Sequence, residues 1–144
     1  MLEYKDKMNR LNDILKQNDL SLIDEFEDEL MQLIKKVETS NFFIDINSML
    51  IRNTYYLIVM IYGEKASIKD FKTLINNSNN EGVKTLKDFL NKKVTNSDIQ
   101  KENERIVNWF LNDYYADSKG VKKFYEYSIE TRYFIDKINL CLRF

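Results

Sequence analysis

The sequence predicts an all-α protein, a compact bundle of six to seven helices around a central hydrophobic helix at about residues 43–62. Three observations predict it. The 144 residues contain no Pro and only three Gly, which removes the turn chemistry that hairpins and β-sandwiches need. Apolar residues recur three and four positions apart along most of the chain, the period of a helix with one buried face. The length and the 44% hydrophobic content suit one packed core that needs neither metal nor disulfide.

Tyr4, Met8, Leu11 and Leu15 mark a first helix ending near Asn18-Asp19. Ser21, followed by Asp24 and Glu25, reads as the cap of a second, whose stripe is Leu22, Phe26, Leu30, Leu33, Ile34 and Val37. The third starts between Asn41 and Asp45 and stops at Gly63; from Tyr55 to Tyr62 it is apolar all round, so it belongs at the centre. Ser67 with Asp70 three residues on caps a fourth helix, with Ile68, Phe71, Leu74 and Ile75 turned inward. The Asn-rich run from Asn76 to Asn80 ends it, and residues 76–82 are the expected flexible loop. Val83, Leu86, Phe89 and Leu90 give a fifth helix, and Thr95 to Asp98 supply the loop and cap of a sixth that carries Ile99, Ile106, Trp109, Phe110 and Tyr114. Trp109 is expected in the core. Gly120 interrupts, and Val121, Phe124, Ile129, Ile135, Ile138 and Leu142 continue as a seventh helix. There is no internal repeat and no linker, so residues 1–144 read as a single helical domain.

The chain has no His, which removes the commonest general base, the usual activator of Ser and Cys and the commonest metal ligand. One cysteine, Cys141, builds neither a zinc site nor an internal disulfide. Isolated glycines form no phosphate-binding loop. The sequence therefore implies no catalytic residue, no metal and no cofactor, and leaves carboxylate-only chemistry as the remaining enzymatic route. The longest apolar run, Met49 to Tyr62, is broken by Arg52, Asn53 and Thr54 and is too short for a bilayer span. With no apolar leader in Met1 to Arg10, a cytoplasmic protein is expected. The bias toward Lys, Asn, Ile, Phe and Tyr with two Ala suits an AT-rich genome, compatible with a phage or other mobile element.

Arg52-Asn53, in the middle of the third helix, resembles the Arg-Asn start of the motif in HEPN-type helical ribonucleases. That family places a His four to six positions after the Arg, where this chain has Tyr56, Leu57 and Ile58. The resemblance implies an inactive relative. Read from the residues alone, the pair is a buried Arg bound to a carboxylate, beside an Asn.

Charge is segregated although 22 basic and 23 acidic residues nearly cancel. Asp19 to Asp45 holds eight acids against Lys35 and Lys36, whereas Glu64 to Lys93 holds seven lysines against four acids. A bipolar surface follows, with Asp24, Glu25, Glu27, Asp28 and Glu29 as an acidic patch that could attract a basic partner. The C-terminal third carries ten of the nineteen aromatics, more than two helices bury easily. Tyr115, Tyr125, Tyr127 and Tyr133 are expected at the surface. Lys119, Lys122, Lys123, Tyr125, Tyr127 and Arg132 then form a candidate partner-binding patch of the composition found at protein interfaces. The reading that follows is a non-catalytic protein that docks on a larger protein or complex, in the manner of an inhibitor, immunity protein or antitoxin. An RNA- or DNA-binding accessory subunit is the alternative. No membrane partner is expected, and a homodimer stays open.

Overall fold

Six α-helices follow one another with no strand among the described residues, which in this computed structural model are 2–35, 44–115, 135, 136 and 138–140. They are α1 (Leu2–Lys16), α2 (Ile23–Lys35), α3 (Ile44–Tyr62), α4 (Ile68–Asn76), α5 (Glu81–Asn91) and α6 (Ser97–Trp109). Ile135, Asp136 and 138–140 are helical too. The rest of the expected seventh helix, with Gly120, Val121, Phe124, Ile129 and Leu142, lies outside the described residues, as does Val37.

The buried side chains form one cluster. Met8, Leu11, Ile14 and Leu15 of α1 meet Phe26, Leu30 and Leu33 of α2, and Leu50, Ile51, Tyr55, Leu57, Ile58 and Val59 of α3 join them. Each such side chain contributes about 1.5–3 kcal/mol on burial. The apolar third helix packs against α2, α4 and α6, as its sequence predicts, while α1 packs on α2 and α4 and α5 lies on α4 and α6. Phe26 sits at the heart of this contact, 4.9 Å from the ring of Tyr55 and 5.4 Å from that of Phe71. Tyr55 donates its hydroxyl to the Asp19 carbonyl at 2.9 Å. Burial, with Asp19 and Glu25 nearby, pushes that phenol up to about 12.

Helix ends follow local chemistry. Ser67 and Asp70 form the expected capping box, and Asn12 of α1 accepts the first α4 amide, Ile68 N–H, at 2.9 Å. Asn96 accepts from Asp98 and Ile99 N–H to start α6. Gly63 takes φ +57° and stops α3. The cap expected at Ser21 is corrected: Asp19 takes that role, its carboxylate accepting from Ser21 N–H at 2.9 Å and Ser21 Oγ at 2.7 Å. Ser21 lies inside the resulting single turn, Leu20–Leu22, and α2 begins after it. Two further corrections concern α6. Ile99, expected inside, is 39% exposed, and Asn103 is buried in its stead, accepting the Tyr56 hydroxyl at 2.7 Å. Tyr115, expected at the surface, is 2% exposed.

Tyr115 is inside because α6 ends in a wider π turn, Phe110–Tyr114, closed by Tyr115 N–H to Phe110 C=O at 2.7 Å. Tyr114 then donates to the Ile75 carbonyl at 2.8 Å and Tyr115 to that of Leu74 at 2.6 Å. Trp109 packs against the core at its edge, half-buried, stacked on Tyr114 at 5.6 Å. After α4, Asn77 turns left-handed at φ 49°, followed by Asn79 at 54° and Asn80 at 60°, a region that Asn tolerates better than most residues. Asn77 Oδ1 accepts from Val83 N–H at 3.0 Å, so residues 76–82 form an organised turn.

Gly82 is buried where α5 starts, and a Cβ there would overlap the Tyr115 hydroxyl. Gly82→Ala is therefore expected to lower stability by about 1–3 kcal/mol, despite alanine's better helix propensity. Tyr115→Phe, which leaves the Leu74 carbonyl unpaired, is expected to cost about 1 kcal/mol. Because the overlap falls on that hydroxyl, the double variant should lose less than the sum. Urea unfolding measures all three, and an unchanged midpoint for Gly82→Ala would contradict the packing.

Candidate functional site

The acids of α2 are tied into the bundle. Glu29 meets Lys7 at 2.9 Å and Arg10 at 2.7 Å, both from α1, and Arg10 also reaches Glu25 at 3.2 Å. On the other side Arg52 of α3 pairs with Asp24 at 2.5 Å and approaches Glu27 at 3.9 Å, while Ser48 donates to Glu27 at 2.6 Å. The expected acidic patch is thus four carboxylates linking α2 to α1 and α3, with Asp28 alone in making no ion pair among the described residues. The Lys7 hydrogen bond holds Glu29 below the ordinary carboxylate range against the opposing effect of burial. Asp24 likewise raises Arg52.

Arg52 has the carboxylate partner expected of it, but its side chain is 39% exposed. The buried guanidinium inferred from sequence is corrected accordingly, since both acids it meets lie on the helix surface. Asn53 beside it is buried, Leu57 and Ile58 are fully inside, and the Tyr56 hydroxyl is engaged by Asn103. The Arg-Asn pair serves helix packing, with no base beside it among the described residues. These residues also contain no group of three or more Cys, Asp or Glu placed to hold a metal ion.

The lysines of the middle segment are used differently. Lys65, Lys69, Lys84 and Lys87 are exposed and form no ion pair with another described residue. Lys69 and Lys72 stand on successive turns of α4 and, with Thr73, Asn76, Ser78 and Glu81, line a shallow open cleft of about 320 Å³. Thr73 donates to the Lys69 carbonyl at 3.1 Å and Asn76 is engaged by Asn139 at 2.8 Å. The cleft therefore has a polar floor held by internal hydrogen bonds and a wall that carries two lysines. The sequence offered one signal for it, the spacing of four and three at Lys65, Lys69 and Lys72. The patch proposed from sequence, Lys119, Lys122, Lys123, Tyr125, Tyr127 and Arg132, lies outside the described residues. No helix among the described residues is long and apolar enough to cross a membrane. No family model, curated protein or solved structure matches the chain.

The Glu29 ties carry a pH dependence with a definite sign. A carboxylate whose folded pKa is depressed adds stability that is complete above its unfolded pKa, about 4.3, and is lost as pH falls through the lower folded value. Glu29→Gln is therefore expected to cost about 1–2 kcal/mol at pH 7. The difference from wild type should shrink steadily below about pH 4.3. Thermal unfolding from pH 7 down to 3 checks this, and a difference independent of pH would contradict the pairing.

Proposed function

We propose that this chain is a non-catalytic docking protein that acts by binding a larger protein or complex, in the manner of an inhibitor, immunity protein or antitoxin of a mobile element. One observation carries the reading: acids and bases of α1, α2 and α3 neutralise one another, whereas Lys69 of α4 and Lys84 and Lys87 of α5 are exposed on two packed helices and form no ion pair with another described residue. Unquenched charge on a preorganised scaffold steers association and selects partners of opposite sign. The lysines, tyrosines and arginine between Lys119 and Arg132 stay a second candidate for partner contact on their composition alone. Arg52, held by Asp24, is consistent with the inactive side of the resemblance noted above. The lone Cys141 and the absence of His favour a cytoplasmic binding role over catalysis.

A nucleic-acid partner is the second reading, favoured by the same lysines. Glu64, Glu81 and Asp88 interrupt them and would repel phosphates, and Phe71 is buried while Phe89 is half-buried, leaving no fully exposed ring on α4 or α5 for base stacking.

Affinity capture from the native host separates the two. With nuclease-treated lysate the docking reading predicts a specific protein, retained at low salt and released as ionic strength rises. Retention of nucleic acid alone, or of nothing, would contradict it.

A further inference from the structure

Four polar or charged residues are buried among the described ones: Glu29, Asn53, Thr54 and Asn103. Two have their partners in place, Glu29 with Lys7 and Arg10, and the Thr54 hydroxyl with the Leu50 carbonyl at 2.6 Å. The two carboxamides differ. Asn53, 9% exposed, makes no side-chain hydrogen bond to another described residue, and Asn103, 2% exposed, makes one, its oxygen accepting from Tyr56. A buried polar group left in this way is uncommon, because burial removes its hydration and puts nothing in its place. We infer that Asn53 and Asn103 bind one structural water molecule between α3 and α6.

Helix geometry brings the two carboxamides together. Asn53 and Tyr56, three residues apart, are neighbours on one side of α3, and a helical side chain lies over the turn N-terminal to its own Cα. Tyr56 therefore reaches back over the turn that carries Asn53, and its hydroxyl holds Asn103 there at 2.7 Å. Burial raises the Tyr56 phenol, so the hydroxyl keeps its proton and donates. That fixes the Asn103 oxygen toward Tyr56 and turns Nδ2 the other way. The water accepts from Asn103 Nδ2 and donates to Asn53 Oδ1, which meets the requirement of roughly two to four polar partners for an internal water. The surroundings disfavour an ion. Leu50 and Leu57 stand one turn before and after Asn53, Ile106 and Val107 one turn after Asn103, and all four are buried. Arg52 is taken by Asp24 and Glu27, while Glu102 and Arg105, which both act on Tyr56, pair with each other. A site of neutral groups in apolar walls pays heavily for a charge. The water is independent of what the chain docks on, and it gives Asn53, the inner half of the Arg52-Asn53 pair, the task of joining α3 to α6.

The test is rotating-frame cross-relaxation between water and the full chain, read at the asparagine side-chain amide protons, where its sign separates a bound water from proton exchange. Contact with a long-lived water is expected at the Hδ2 protons of both Asn53 and Asn103, whereas the exposed Asn112 should meet only fast-exchanging solvent. Asn53→Leu keeps a side chain of similar size and removes one of the two partners. It should abolish the contact at Asn103 with helicity retained, and raise the unfolding equilibrium constant about tenfold, as loss of a buried hydrogen bond does. If that variant does not fold, the wild-type spectrum decides by itself. No long-lived water at either residue, or water at only one of them, would overturn the assignment. So would a direct hydrogen bond between the two carboxamides, or a contact at Asn103 that survives Asn53→Leu.

Discussion

A helix that ends inside a protein leaves its last carbonyls without intrahelical donors, and burial denies them water. In this chain that requirement falls on the final turn of α4, and much of the structure is arranged to meet it. Asn77 N–H returns to the Thr73 carbonyl at 2.9 Å, Tyr115 donates to Leu74 and Tyr114 to Ile75, and Asn80 N–H meets the Asn77 carbonyl at 3.1 Å. The side chains of the same turn extend the pattern. Asn77 caps the start of α5, and Asn76 exchanges two hydrogen bonds of 2.8 Å with Asn139. One turn of helix thereby anchors α5, the end of α6 and the residues around Ile138. The π turn of α6 and the missing side chain at Gly82 are consequences, since each lets the two tyrosines reach the carbonyls together.

The cleft lined by Thr73 and Asn76 sits on this anchored turn. Thr73 and Asn76 are held there by internal hydrogen bonds. The ion pairs on the opposite part of the bundle complete the picture. Lys7, Arg10 and Arg52 neutralise most of the charge of α2, so the field around the described residues is shaped more by α4 and α5 than the acidic count of Asp19 to Asp45 implies.

The helices were legible because their signals are local. The apolar stripe of α2, the continuous apolar character of α3, the Ser67 capping box and the Asn96 cap each depend on residues a few positions apart, and each is found where the sequence places it. What escaped depends on partners distant in sequence. Ser21 resembles a cap, yet Asp19 two residues earlier accepts both its N–H and its hydroxyl, which places Ser21 inside the turn that Asp19 caps. Ile99 fits the apolar period of α6, but the Tyr56 hydroxyl on α3 needs an acceptor and draws Asn103 inward. Tyr115 was expected outside because two helices do not easily bury ten aromatics; the π turn and two orphan carbonyls on α4 bury both Tyr114 and Tyr115. Segment charge counts likewise contained the lysines of the cleft but could not show that Arg10, Lys7 and Arg52 would close on the acids.

The claim that the end of α4 anchors the second half of the described fold is tested most directly by hydrogen exchange on Tyr114→Phe, Tyr115→Phe compared with wild type. The two hydroxyls are removed while both rings remain to fill their space. If the anchoring is as described, amide protection should fall together in α5, in the end of α6 and at 138–140, while α1, α2 and the buried half of α3 keep theirs. Protection lost only at Leu74 and Ile75, or reduced equally through all six helices, would contradict it.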